Sequence, residues 1–203
     1  MRNIKHFFEQ SWLLIIASFF FGLLIAVTNA ALAPRIAWNA TAKLNALATG
    51  LLPEAEKFAP LDETIDITAP GGKPQALQLY KGTTGGQTAG WIFIAVGSGF
   101  ADKIELVVAV DAKFEKLAGF DVLASNETPG FGDQIKYDYF RDQFKGAPAG
   151  ALTLINAGEP GTIDDQIVSI SGATVSSTAV VRTISHYLTQ VKQQMQQKGL
   201  IES

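Results

Sequence analysis

The sequence predicts an α+β protein: one N-terminal transmembrane helix, then a domain with a mainly antiparallel sheet packed by helices. Three observations carry that expectation. Residues 11–33 are 23 consecutive uncharged residues rich in Leu, Ile, Phe and Ala. Three β-type runs at 91–96, 104–110 and 117–124 follow one another across short turns, and short connections join antiparallel neighbours. The stretch from about Thr174 to Lys198 carries apolar residues at helical spacing: Val175, Ala179, Ile184, Leu188, Val191 and Met195.

Taken in order, residues 1–10 form a short polar tail with Arg2 and Lys5. The apolar run that follows, as a helix, is roughly 35 Å long, enough to cross a hydrocarbon core of about 30 Å. Ala31-Leu32-Ala33 resembles a signal-peptide cleavage site. The run, however, exceeds the usual signal core of about 7–15 residues, so a retained anchor is the expectation. Lys and Arg balance two against two across the span (Arg2 and Lys5, Arg35 and Lys43), so charge bias does not orient it. Phe19, Phe20, Phe21 and Gly22 face either lipid or partner helices.

Residues 34–60 read as a juxtamembrane helix and linker. Ala40, Leu44, Leu47 and Leu51 keep a helical period that ends before Pro53. A domain at 61–203 follows, with its core at about 88–190. Residues 64–68 form a short strand, 69–74 a Pro- and Gly-rich loop, and 75–81 a half-buried strand alternating around Leu77 and Leu79. After the three β runs comes the loop Asn126-Glu127-Thr128-Pro129-Gly130-Phe131-Gly132. Residues 133–144 read as a helix with Ile135, Tyr139, Phe140 and Phe144 on one side. A short strand at 152–156 and the apolar run 167–170 precede the terminal helix.

Composition excludes several classes. The 203 residues carry 16 Lys+Arg against 19 Asp+Glu, a net charge of −3, with no clustered basic patch of the kind nucleic acid needs. The absence of Cys removes disulfides, thiolate metal sites, iron–sulfur ligation and haem attachment. His6 and His186 lie on opposite sides of the apolar span, so no metal site is expected. Gly97-Ser98-Gly99 lacks the third glycine of a dinucleotide fingerprint, because residue 102 is Asp, and there is no Walker motif. No catalytic residue stands out.

Two motifs remain. Ser169-Ile170-Ser171-Gly172-Ala173-Thr174-Val175-Ser176-Ser177 joins a strand to a helix start. The bland reading is an ordinary helix cap. The other is a phosphate site, with the small Gly172 and Ala173 admitting close approach to backbone N–H groups and Thr174, Ser176 and Ser177 supplying hydroxyls. Glu127-Thr128-Pro129-Gly130 stands 44 to 47 residues earlier, at the end of a predicted strand. It is either a plain turn or a rigid loop laid along a planar ring.

In this order, the anchor, the β-rich segment, Ser125–Gly132 and Ile167–Ser177 resemble the FMN-binding domain family of RnfG, from the Rnf electron-transport complex, and of its relative NqrC, from the sodium-pumping NADH:quinone reductase. The resemblance implies that Thr174 carries FMN as a phosphoester, placed there from FAD by a separate flavin transferase. It implies a pocket drawn from Ser171, Gly172, Ala173, Ser176 and Ser177 and from Glu127, Thr128, Pro129 and Gly130. It implies an electron-carrier component of a membrane-bound, ion-translocating ferredoxin:NAD+ oxidoreductase, not catalytic alone. Its partners would be integral membrane subunits, a second covalent-flavin subunit and iron–sulfur subunits. The location implied is the inner membrane of a bacterium or archaeon, with the domain on the extracytoplasmic side. The short chain, without a large insertion before the β segment, favours the Rnf type. The alternatives are the quinone-reductase type, a free-standing flavin reductase of the same fold, and an anchored binding or scaffold domain without cofactor.

Overall fold

A computed structural model describes residues 2–202. The chain divides into two compact units, Met1–Lys43 and Leu44–Ser203. In the first, the described residues are helical. They belong to α1 (Arg2–Leu51), which contains Pro34. Residues 2–10, expected as a tail, are therefore part of the helix. Leu13, Leu14, Phe19, Phe20, Phe21, Leu24 and Ile25 are all exposed. Such a face, uncovered by protein, suits a hydrocarbon surrounding. Among the described residues, one helix is long and apolar enough to cross a membrane, which fits a single-pass anchor.

The second unit opens with the last turns of α1. Its centre is a five-stranded antiparallel sheet. The strands are β1 (Lys57–Pro60), β4 (Leu79–Thr84), β5 (Gln87–Ser98), β6 (Lys103–Asp111) and β7 (Leu117–Ser125), side by side in that order. The sheet is buried on both faces, and its period of two sorts the side chains. Trp91, Phe93, Leu106, Val108 and Val110 face the larger core, shared with the terminal helix α3 (Thr174–Gln197). Ile92, Val107 and Ala109 face the other way and pack with Leu44, Ala48, Leu52 and Ala55. On the larger side the Tyr187 ring lies parallel to Phe93, with centroids 6.4 Å apart.

Several elements depart from the sequence reading. The single strand expected at 75–81 is two. β3 (Pro74–Leu77) pairs with β2 (Ile65–Thr68) in a separate hairpin, and β4 joins the main sheet. Gln78 makes the break, its Nε2 donating to the Leu61 carbonyl at 2.7 Å. Residues 57–60, read as linker, form the edge strand β1, where Pro60 is tolerated because it owes no ladder donor. The compact unit thus begins well before residue 61. The last two strands, β8 (Thr153–Ile155) and β9 (Gln166–Val168), pair in parallel.

The helix expected at 133–144 is broken into three short turns. A 3-10 turn (Gly132–Lys136) meets Tyr137 in an extended conformation, then α2 (Asp138–Arg141) and a second 3-10 turn (Asp142–Phe144) follow. Ile135, Phe140 and Phe144 are all fully buried. Five residues span about 140° beyond one full turn of a regular helix, so Ile135 and Phe140 cannot share a face without the break. Tyr139, expected inward, is 53% exposed.

Sheet and helix approach most closely at Gly97. A Cβ there would fall onto the Thr183 hydroxyl and lie 3.0 Å from Thr183 Cβ. Gly97→Ala is expected to lower stability by about 1–3 kcal/mol, the usual cost of overpacking. Adding Thr183→Ala should recover part of that loss, a non-additivity that chemical denaturation of the four variants measures directly.

Candidate functional site

The strand-to-helix joint is built by Ser177. Its Oγ accepts the Ile170 N–H and donates to the Ala173 carbonyl, each at 3.0 Å. The side chain is fully buried. Ser177 was expected to face a ligand; instead it closes the turn. Between these anchors Gly172 takes φ +81°, a left-handed conformation that favours glycine.

The ordinary helix cap, the bland alternative for this motif, is absent. The cap position of α3 is Ala173, with no side-chain hydrogen bond, and Thr174 is the first helical residue. The backbone N–H groups of Thr174, Val175 and Ser176 have no acceptor among the described residues. Such orphan donors, aligned with the helix dipole, favour an anion. Thr174 itself is exposed at this point, and Thr178 Oγ1 donates to its carbonyl at 2.7 Å.

A cleft of about 480 Å³ opens beside Thr174. Three chain segments wall it. Gly172, Ala173, Thr174, Val175 and Ser176 come from the helix start, Glu127, Thr128, Phe131 and Gly132 from the loop after β7, and Phe100 from the turn between β5 and β6. Phe100, Phe131 and Val175 are 69%, 58% and 56% exposed. Val175, expected in the buried helix stripe, instead faces this cleft. The lining is mostly apolar, as small-molecule sites are.

Glu127 holds the three segments together. Its side chain is 5% exposed. Oε1 accepts the Ala101 N–H at 2.9 Å, and Oε2 accepts the Ser176 hydroxyl in a short hydrogen bond. Burial alone would raise its pKa. The Ser176 hydroxyl and the N–H groups of Ala101, Phe100 and Asp102 outweigh that and hold the carboxyl below the usual carboxylate value. The same two loops are tied again by Asn126 Nδ2, which donates to Asp102 Oδ2 at 2.9 Å.

Of the residues singled out from the sequence, Glu127, Thr128, Gly172, Ala173, Thr174 and Ser176 meet at the cleft. Ser171, Ser177, Pro129 and Gly130 do not line it. Gly130, at φ +78°, shapes the loop, and its carbonyl accepts from Gln134 Nε2 at 2.8 Å. Phe100 and Phe131 were missed as wall residues. Their signal was an aromatic side chain stranded among glycines, in Gly97-Ser98-Gly99-Phe100 and Gly130-Phe131-Gly132. Among the described residues no group of His, Asp and Glu is placed to hold a metal ion.

Comparison with known proteins gives a consistent picture. Residues 99–189 match the model of the FMN-binding domain. The chain is 29% identical to the G subunit of the proton-translocating ferredoxin:NAD(+) oxidoreductase complex of Clostridium ljungdahlii, over 88% of each chain. It is 32% identical to the G subunit of the ion-translocating oxidoreductase complex of Cereibacter sphaeroides, over 82% of this chain and 76% of the relative. Among solved structures it resembles Shewanella oneidensis NqrC, with a TM-score of 0.57 and 20% identity, over 66% of this chain and 79% of the other.

The tightness of the cleft wall is testable. A Cβ at Gly132 would lie 2.5 Å from Ser176 Oγ and 2.6 Å from Glu127 Oε2. Gly132→Ala is expected to destabilise by about 1–3 kcal/mol. Proteolysis should then find the 126–132 loop first, cutting it sooner than in the parent chain.

Proposed function

Because the chain belongs to the RnfG family of ion-translocating oxidoreductase complexes, we propose that it is the membrane-anchored electron carrier of such a complex, holding FMN covalently on Thr174. The observation that carries this reading is an exposed threonine hydroxyl at an uncapped helix start, opening directly onto an apolar cleft. The residues present fit the cofactor. The free N–H groups of residues 174–176 suit a phosphate. The positive φ of Gly172 keeps the backbone there bare. Phe100, Phe131 and Val175 offer apolar walls to a planar ring.

Attachment forms the bond between Thr174 Oγ and the FMN phosphorus and breaks the pyrophosphate bond of FAD. AMP leaves, and the hydroxyl proton passes to a separate flavin transferase. One negative charge stays on the phosphodiester, facing the helix N-terminus, a pairing of about 0.3–1 kcal/mol when exposed. When bound, the flavin supplies the electron chemistry. The chain supplies the tether, the apolar walls and the fixed charges beside them. The sequence carries no dinucleotide fingerprint for a hydride donor, since residue 102 is Asp, which supports a relay in preference to a free-standing reductase.

We place the anchor in an inner membrane with the domain on the extracytoplasmic side. The partners are other subunits of the same complex: integral membrane proteins, a second flavin subunit and iron–sulfur subunits. The coupled reaction is electron transfer between ferredoxin and NAD+ linked to ion movement.

The test is a denaturing gel of material made alongside the transferase. Flavin fluorescence should stay with the band and vanish in Thr174→Ala. Ser171→Ala, outside the cleft, should keep it. A fluorescent Thr174→Ala band, or parent chain whose intact mass shows no added flavin, overturns the reading.

A further inference from the structure

Glu127 reaches the cleft but contacts it unusually. Its carboxylate bridges two donors on separate segments: the Ser176 hydroxyl on Oε2 and the Ala101 N–H on Oε1. An ionised carboxylate only accepts, and both oxygens accept here: Oε1 from an N–H, which can only donate, and Oε2 from the Ser176 hydroxyl. Two glycines in separate loops make room for the same group. A Cβ at Gly99 would fall onto Glu127 Oε1, and one at Gly132 would lie 2.6 Å from Oε2. The carboxylate thus sits in a socket contributed by the β5–β6 turn, its own loop and the first turn of α3. Ser176 is two residues from Thr174, and Ala101 is adjacent to Phe100, so the socket fixes both the attachment point and one apolar wall.

We propose that Glu127 is a positioning residue, an ionised latch that fixes the turn bearing Thr174 against the turn bearing Phe100 and sets a permanent negative charge in the cleft wall. This rests on the flavin reading above, and it replaces a direct ligand role with an indirect one. A fixed negative charge disfavours a negatively charged ring in the cleft, which favours oxidised flavin over its anionic reduced form. The nearest other charged groups along the elements packed around it are Asp102 in the turn, Lys103 and Glu105 at the start of β6, Asp133 and Lys136 in the 3-10 turn after the loop, and Arg182 about two turns along α3. Lys103 is paired with Glu105 at 2.7 Å. Asp102 accepts from Asn126 and from the Lys103 N–H. Asp133 adds a second negative group, and the first turn of α3 contributes no acidic residue.

Two measurements test the latch. In a Thr174→Ala background, which carries no flavin on the reading above, Glu127→Gln should melt below its Glu127 parent at neutral pH. The Glu127 carboxyl titrates lower in the fold than its reference value of 4.5. Its contribution is therefore complete above that value and lost as pH falls through the folded one. The gap between the two chains should be full above 4.5 and narrow as pH falls below it. In flavin-loaded chain, Glu127→Gln should move the reduced-to-oxidised ratio at fixed potential toward reduced, on the order of tenfold. Ser176→Ala keeps the charge and frees the turn. It should change that ratio by less than about twofold, while lowering the fluorescence anisotropy of the flavin. A melting gap that does not vary with pH, or a flavin ratio no different in Glu127→Gln from Ser176→Ala, overturns the proposal. Chain that never takes up flavin overturns the functional reading instead, and the melting gap still decides the latch.

Discussion

One buried carboxylate joins three pieces of chain that share no secondary structure. The β5–β6 turn, the loop after β7 and the start of α3 come from positions near residues 100, 130 and 175. No ladder or helix hydrogen bond connects them at the cleft. Glu127 bridges them through Ser176 and Ala101, with Asn126 and Asp102 as a second tie. Burying a charge is costly unless it is hydrogen-bonded, and here every bond comes from a donor. The sheet beneath gives this arrangement a stiff base. Both its faces are buried, one under α3 and the other under residues 44–55.

Much of this was legible in the sequence, for identifiable reasons. β5, β6 and β7 alternate strongly and are joined by short turns, so local pattern sufficed. Thr174 stood out because small residues flank it where a strand gives way to a long helix. The roles of its neighbours were not legible. A serine hydroxyl reads the same whether it faces a ligand, as the sequence suggested for Ser177, or staples a turn, as it does between Ile170 and Ala173. The segment 133–144 has helical composition, yet burying both Ile135 and Phe140 required a break at Tyr137. The long-range pairing of β1 with β4 had no local signal at all. Phe100 and Phe131 became meaningful only once two distant loops were seen to face the same helix end.

The uncapped start of α3 has a related logic. A Ser, Thr, Asp or Asn at the cap would stabilise the helix by about 1 kcal/mol. Here the cap is Ala173, although serine and threonine are abundant on either side. The hydroxyls are spent elsewhere: Ser177 on the turn, Ser176 on Glu127 and Thr178 on the Thr174 carbonyl. The first N–H groups are thereby left for an external acceptor. The same end of the molecule leaves Phe100, Phe131 and Val175 more than half exposed. Unused donors and uncovered apolar surface at one spot are the features the proposed function assigns to a ligand anionic at one end and flat and apolar at the other.

On the proposed function, that geometry also gives the covalent bond its reason. A cleft walled by loops, with its aromatic residues still largely open to solvent, keeps a ring edge within reach of a partner and buries little of it. Little burial means weak binding, since affinity for a small ligand follows the apolar surface removed from water. A free cofactor held that loosely would be lost by dilution. The ester proposed at Thr174 would make the ring intramolecular, with an effective concentration in about the millimolar range even for a flexible link. At that concentration an intrinsic affinity of about 1 mM, only about 4 kcal/mol, keeps the ring seated about half the time. In the proposed arrangement the tether supplies retention, the cleft supplies orientation, and neither has to enclose the ring, so electron transfer in and out stays open.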